Sequence, residues 1–243
     1  MNVQSGIAAD APALERHLAR ADISDDLDAY GAAILPALLT PDQCQSMLDL
    51  LADPLLPPTP RIAEPGVLGT GTYRFFNAPL PDAIVALRSA LYAHLAPIAN
   101  AWNEQMGFPQ RYPAVQTEFL HMCRNARQSR SASMVLEHAA GQLSFLRQDL
   151  HGDLIFPLQA MILLSQPGRD FAGGELVITE QRPRMQTRPE VISLKQGDAA
   201  VLAVSNRPVS GSRGTYRVLL RHGFSKVRKG RQCVLSILFH DAA

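Results

Sequence analysis

The chain has 243 residues, 47% of them hydrophobic and 19% charged, with a formal net charge of +1. That is enough apolar material for one sizeable core and sits near the upper range of a single domain, 1–243. No apolar run approaches the ~18 residues a membrane helix needs, and no basic-then-apolar leader opens the chain, so a cytoplasmic protein without a membrane partner is expected. Cys44, Cys123 and Cys233 are odd in number, widely spaced and without a C-x-x-C. This argues against a disulfide framework, a disulfide-linked partner or a zinc knuckle, and for buried small hydrophobes.

In chain order, Thr40-Pro41-Asp42-Gln43 supplies an N-cap, a proline at the first helical position and the glutamine of a capping box. Met47, Leu48, Leu50 and Leu51 then continue at helical spacing. A Pro-rich break covers 54–60, after which Leu87, Leu91, Leu95, Ile98 and Trp102 predict one long helix over 83–106, bent at Pro97. Residues 1–133 thus read as a mainly helical layer.

From about residue 134 the pattern changes to short β-type runs: 160–165, 175–179, 191–194, 199–204, 216–220 and 233–239. Gly173-Gly174, Gly197-Asp198 and Gly230 punctuate them. Six or more strands without intervening helices indicate an antiparallel sandwich, barrel or jelly roll rather than a parallel α/β sheet. The fold class expected is α+β, with the N-terminal helices packed on a β core over 134–243.

The charge is unevenly spread. Residues 1–112 carry 6 Lys/Arg against 12 Asp/Glu, and residues 113–243 carry 17 against 10. Arg207, Arg213, Arg217, Arg221, Lys226, Arg228, Lys229 and Arg231 crowd around His222, which favours an anionic small molecule or a nucleic acid as substrate. A solvated sheet face accounts for the same charges, and aromatics interleaved for base stacking are not evident.

The chemistry-bearing pattern is His151-Gly152-Asp153, then His222, then Arg231. Iron(II) in oxygenases is held by two imidazoles and one carboxylate, which leaves positions open for co-substrate and oxygen. A basic residue further along suits the far carboxylate of a dicarboxylic co-substrate. Other templates are missing: no G-x-S-x-G elbow, no P-loop, and Gly69-Thr-Gly71 lacks a third glycine. His17, His94, His121 and His240 have no companions at ligand spacing and read as ordinary surface or core residues.

Several stretches carry a family resemblance: Phe171–Arg184, Gln196-Gly-Asp198, Arg207-Pro-Val209, Arg213–Arg217, Arg221-His-Gly223 and Phe239-His-Asp241, with Tyr73–Pro79 and Trp102-Asn-Glu104 upstream. Together they resemble the 2-oxoglutarate/iron(II) oxygenase superfamily, in a bacterial branch related to prolyl hydroxylases and described as acting on nucleic acid. The resemblance implies a double-stranded β-helix (a cupin-like jelly roll) and an oxidoreductase, a dioxygenase acting as hydroxylase or oxidative demethylase. It also implies Fe(2+), 2-oxoglutarate and O2 at the open end of the β-helix.

Carried over residue by residue, His222 matches the distal iron histidine. Counting back without gaps from Phe156-Pro-Leu-Gln159 puts Arg147-Gln148-Asp149 in the family's His-x-Asp slot, and a guanidinium cannot ligate a metal. The expected ligands are therefore His151, Asp153 and His222, with Asp149 as the alternative carboxylate. In a second reading Arg147 blocks the old iron slot, pairs with Asp149, and leaves a metal-free cup that binds a ligand or partner or runs a non-oxidative reaction. The co-substrate cation is expected at Arg231, nine residues after His222. The family's offset of ten falls on Gln232, and His138 stands where the family has tyrosine; both are further candidates for the co-substrate pocket.

Overall fold

The computed structural model describes residues 14–15, 18–19, 22–52, 61–64, 66–182, 184–212 and 214–243. The Pro-rich break at 54–60, His17 and Arg213 lie outside the described residues. Helices α1 (Ile23–Tyr30), α2 (Pro41–Ala52), α3 (Asp82–Gln105) and α4 (Gln116–Asn125) precede most of the strands. The capping box forms as its sequence requires: the Thr40 backbone N–H donates to Gln43 Oε1 at 2.9 Å, and the Gln43 N–H to Thr40 Oγ1 at 3.2 Å. Helix α3 is one continuous helix with Pro97 inside it, and Leu87, Leu91, Leu95 and Trp102 are buried.

Three short strands lie among these helices: β1 (Ala32–Leu35), β2 (Arg61–Ile62) and β3 (Thr72–Phe75). After α4 come β4 (Arg130–Ser131), β5 (Met134–Ala139), β6 (Leu158–Leu163) and β7 (Phe171–Gly173). The rest are β8 (Leu176–Gln181), β9 (Arg188–Ile192), β10 (Ala199–Ala203), β11 (Asn206–Gly211), β12 (Gly214–Phe224), β13 (Val227–Leu238) and β14 (Asp241–Ala242). The larger sheet runs β1-β10-β6-β13-β5-β3-β2, with β7 also pairing β13, and the smaller runs β11-β12-β8-β9. Strand β11, missed in the sequence because it contains Pro208, lies at a sheet edge, where the absent N–H costs no ladder bond. Pro189 occupies the opposite edge strand, β9, for the same reason.

Alternation along the strands sorts side chains into two cores. Met134, Leu136, Met161, Leu163, Leu202 and Val234 pack inward with Leu176, Ile178, Ile192 and Phe224 of the smaller sheet. Val135, Ala160, Ile162, Val201, Leu235 and Ile237 point outward into the helices. There, Tyr92 of α3 stacks on Phe119 at 5.9 Å and meets Phe156 at 5.0 Å between ring centroids. Two antiparallel sheets enclosing one inner core, with a helical layer on the larger, make the double-stranded β-helix.

The three cysteines are free and buried. Burial pushes the thiol of Cys44 up to about 11 and that of Cys233 up to about 12, which disfavours a reactive thiolate. No helix among the described residues is long and apolar enough to cross a membrane.

One buried cation ties the helical layer to the roll. Arg88 of α3 donates from Nε to the Leu238 carbonyl at 2.7 Å, and from Nη2 to the His240 carbonyl at 3.0 Å and Asp241 Oδ1 at 2.8 Å. Arg88→Ala leaves those acceptors buried without a donor, so a loss of about 3–5 kcal/mol is expected in denaturant unfolding. Arg88→Ala unfolding within 1 kcal/mol of wild type, on the order of an exposed pair, would count against the tie.

Candidate active site

The loop from β5 to β6 carries Arg147, Asp149 and His151, and β12 carries His222. Arg147 and His222 form a reciprocal backbone pair, Arg147 N–H to the His222 carbonyl at 2.9 Å and His222 N–H to the Arg147 carbonyl at 3.0 Å. Residues opposed in this way put their side chains on one face. Asp149, two residues on, shares that face, whereas Gln148 turns away and donates to Ser205 Oγ at 2.8 Å and the Leu220 carbonyl at 3.0 Å.

The result is a buried cluster around one carboxylate. Asp149 and His222 are fully buried. Arg147 Nε donates to Asp149 Oδ1 at 2.9 Å, and His222 Nε2 lies 3.1 Å from Asp149 Oδ2. His151 Nε2 stands 4.0 Å from Asp149 Oδ1. Burial alone would raise the Asp149 pKa, but Arg147 and then His222 outweigh it and hold the carboxyl far below the usual carboxylate range. Burial lowers the pKa of His222, whose ring is therefore neutral at pH 7.

Gln159 of β6 completes the contacts of His222, with its Nε2 3.1 Å from His222 Nδ1. Donation by that amide leaves the His222 proton on Nε2, facing Asp149. Gln159 was not among the residues singled out in the sequence. Its signal was being polar in a strand buried along its whole length, Leu158–Leu163.

Deeper in, His138 Nε2 meets Tyr73 Oη at 3.1 Å and Ser144 Oγ at 3.0 Å, while Tyr73 Oη and Ser144 Oγ lie 2.9 Å apart. The Arg147 guanidinium carbon sits 5.7 Å from the Tyr73 ring centroid. Burial first, and Arg147 second, push the His138 pKa down to about 4.

The structure relocates two expected site residues. Asp153 is exposed and lines a separate 390 Å³ pocket with Leu150, Met106 and Asn206, so the carboxylate that meets His222 is Asp149. Arg231 is exposed on the outer face of β13, on the side of Cys233, Leu235 and Ile237. Gln232 is the inward residue, donating from Nε2 to the Gly174 carbonyl at 2.6 Å. From Arg231 onward β13 pairs residue for residue with β5, Arg231 with Ala139, Gln232 with His138 and Cys233 with Glu137, and this register puts Arg231 and Gln232 on opposite faces. Gly152 is fixed by geometry: its φ is +118°, and a Cβ there would meet the Gln128 side chain at 2.4 Å.

The profile of a protein family described as an oxygenase catalysing oxidative methylation of damaged DNA matches residues 71–242. The chain belongs to this oxygenase family. A Mycobacterium tuberculosis protein, described as uncharacterised in each of two strains, is 40% identical over 168 residues, or 69% of this chain and 72% of its own length. A Burkholderia pseudomallei oxidoreductase of the 2-oxoglutarate/iron(II) oxygenase family shares the fold, with a TM-score of 0.54 and 15% identity over 93% of this chain and 92% of its own. A Trichoplax adhaerens prolyl hydroxylase, solved with a hypoxia-inducible-factor peptide, gives 0.58 and 11% over 96% and 93%. This oxygenase therefore has the jelly roll of the iron enzymes, and its centre can be compared with theirs on chemical grounds.

The donor set present is two imidazoles and one carboxylate, which is the set that holds iron(II) in oxygenases. His222 Nε2 and Asp149 Oδ2, 3.1 Å apart, have the separation of neighbouring ligands on one metal. His151 is the second imidazole, nearly an ångström further from the carboxylate. Among the described residues no three such groups stand at metal-holding spacing, and Arg147 holds Asp149 Oδ1. The donor chemistry fits the metal, and in the fold Arg147 holds one oxygen of the carboxylate that would take part.

Proposed function

We propose that this oxygenase is an iron(II)- and 2-oxoglutarate-dependent dioxygenase acting on nucleic acid, with Asp149, His222 and His151 as the metal-holding residues. The observation that carries the reading is the carboxylate of Asp149 set between two imidazole Nε2 atoms at 3.1 and 4.0 Å. Iron with 2-oxoglutarate and O2, when bound, supplies the oxidation of a C–H bond. The protein's own residues prepare the place. Arg147 must release Oδ1, and His222 must present a bare Nε2, which requires its proton on Nδ1. Turning the Gln159 amide over accomplishes this, since Gln159 Oε1 is buried and unpartnered and would accept from Nδ1–H.

Anaerobic titration with iron(II) and 2-oxoglutarate is expected to give a weak visible charge-transfer band, and His222→Ala to abolish it. A wild type without any metal-dependent 2-oxoglutarate binding would falsify the reading. A second reading is favoured by the 2.9 Å pair between Arg147 and Asp149: the cup keeps no metal and binds a ligand or partner without oxidation.

For nucleic acid as the substrate, the support is the family description together with the surface around His222. Arg221, Lys226, Arg228, Lys229 and Arg231 are exposed there. Arg207 does not belong to that surface, being buried and paired with Glu180 Oε2, and Arg217 is pinned over the Phe108 ring at 4.1 Å. The segment bearing Arg147 also exposes Phe145, Leu146 and Leu150, which supply an apolar rim and a ring for stacking against an unpaired base. Affinity for single-stranded DNA is expected to fall steeply with salt. Neutralising Lys226, Arg228 and Lys229 should flatten the log–log slope by about 0.7 for each phosphate that no longer meets a cation. A slope that those changes leave untouched moves the substrate to another class.

A further inference from the structure

We infer that Arg147 makes the cup a binding site for an organic carboxylate, held by the edge formed by its two terminal amino groups and independent of any metal.

Arg147 is nine-tenths buried, with 9% of its side chain exposed, and only its Nε is committed, to Asp149. Nη1 and Nη2 are both buried and have no hydrogen-bond partner among the described residues. Buried donors of a charged group require an acceptor, because each one left unmade carries its full desolvation penalty. The described residues do not supply one: Asp149 Oδ1 already accepts from Nε, and Oδ2 faces His222 Nε2.

The edge left over has a shape. Two parallel N–H groups in a planar fork match the two oxygens of a carboxylate and suit a spherical anion less well; phosphate, which the fork also matches, is the competing anion. On the inner wall, in the same parity as the inward Val234, Ser236 Oγ of β13 is buried and also lacks a partner among the described residues. The cation that the sequence led one to expect for a carboxylate, Arg231, stands outside, and the residue facing inward at that point is the neutral Gln232. Arg147 is thus the cation that this cup offers to an anion, and it offers it from where the resemblance expects a metal ligand.

The experiment uses the full chain stripped of metal with EDTA and titrated calorimetrically with glutarate, with inorganic phosphate as the comparison anion. Glutarate is expected to bind the wild type and to bind Arg147→Gln at least about tenfold more weakly, as removal of a charge-assisted bidentate pairing requires. Arg147→Lys, a point charge without the fork, is expected to lose affinity as well. Glutarate should raise the melting temperature of the wild type and leave that of Arg147→Gln unchanged. The inference is overturned if the chelated wild type binds no glutarate, if Arg147→Gln binds it equally, or if phosphate binds more tightly. Should Arg147→Gln prove unfolded by circular dichroism, Arg147→Lys decides, and undiminished glutarate affinity overturns the inference. Because metal is absent throughout, failure here leaves the iron reading standing, and failure of the charge-transfer titration leaves this site standing.

Discussion

Arg147→His is expected to raise iron(II) affinity by on the order of a hundredfold or more. The substitution removes a cation and adds a donor at one stroke. A unit charge about 4 Å from another at an effective dielectric of about 20 contributes about 4 kcal/mol, and a divalent ion feels roughly twice that. In the folded chain the guanidinium bonds the carboxylate that the metal must use, at 2.9 Å, and its backbone pairing with His222 aims position 147 into the cup. An imidazole there recreates His-x-Asp with Asp149, opposite His222. Anaerobic calorimetry with iron(II), read beside the visible band formed with 2-oxoglutarate, checks it. Equal affinity in variant and wild type would show that Arg147 does not stand in the metal's way. A band in the variant alone would establish the metal-free reading for the natural chain.

Asp149→Ala is expected to cost about 3–5 kcal/mol of folding stability, because it strands the Arg147 charge in the interior. For a chain of this size that corresponds to a melting temperature lower by roughly 6–20 °C. The carboxylate is fully buried and joined to Arg147 and His222 at once. Removing both charges together, as Arg147→Met with Asp149→Leu, should recover most of the loss, since an apolar pair of similar volume carries no desolvation penalty. Urea unfolding of the single and double variants separates the terms. A single variant within about 1 kcal/mol of wild type would mean that water reaches Arg147 and the pair is worth only what a surface pair is.

The long helix, the capping box and the β-rich second half were legible because each rests on neighbours in sequence: helical spacing from Leu87 to Trp102, the Thr40 and Gln43 reciprocity, and apolar runs bounded by glycine. Strands β1 and β3 were not, since four residues carry too little periodicity, and both are strands only because they dock on β10 and β5. Strand β11 was hidden by Pro208 until its edge position was known. Around the centre, His222, Asp149 and Arg147 were all named from the sequence, and His138 with them. Gln159, Tyr73 and Ser144 were missed as site residues: Gln159 and Tyr73 meet partners 63 to 71 positions away, and Ser144 meets Tyr73 as well as the nearer His138.

The choice between neighbouring candidates was likewise beyond local pattern. His151-Gly152-Asp153 spells an iron motif, yet the carboxylate that reaches His222 is two residues before the histidine instead of two after it. Arg231 and Gln232 differ by one place in the chain and by an entire face of the sheet, with the parity fixed by their pairing to β5.

Taken alone, the order of residues determined the helices, the antiparallel β half and the small group of side chains able to do chemistry, because apolar periodicity and motif spelling are properties of the linear chain, and its resemblance to known oxygenases supplied the family and the β-helix. Only the tertiary structure decided that Arg147 closes on Asp149, that Asp153 and Arg231 stand outside, and that the two terminal amino groups of Arg147 are buried without an acceptor among the described residues. The physical reason is that a strand's register assigns every side chain to one face or the other, and register is set by partners far away in sequence.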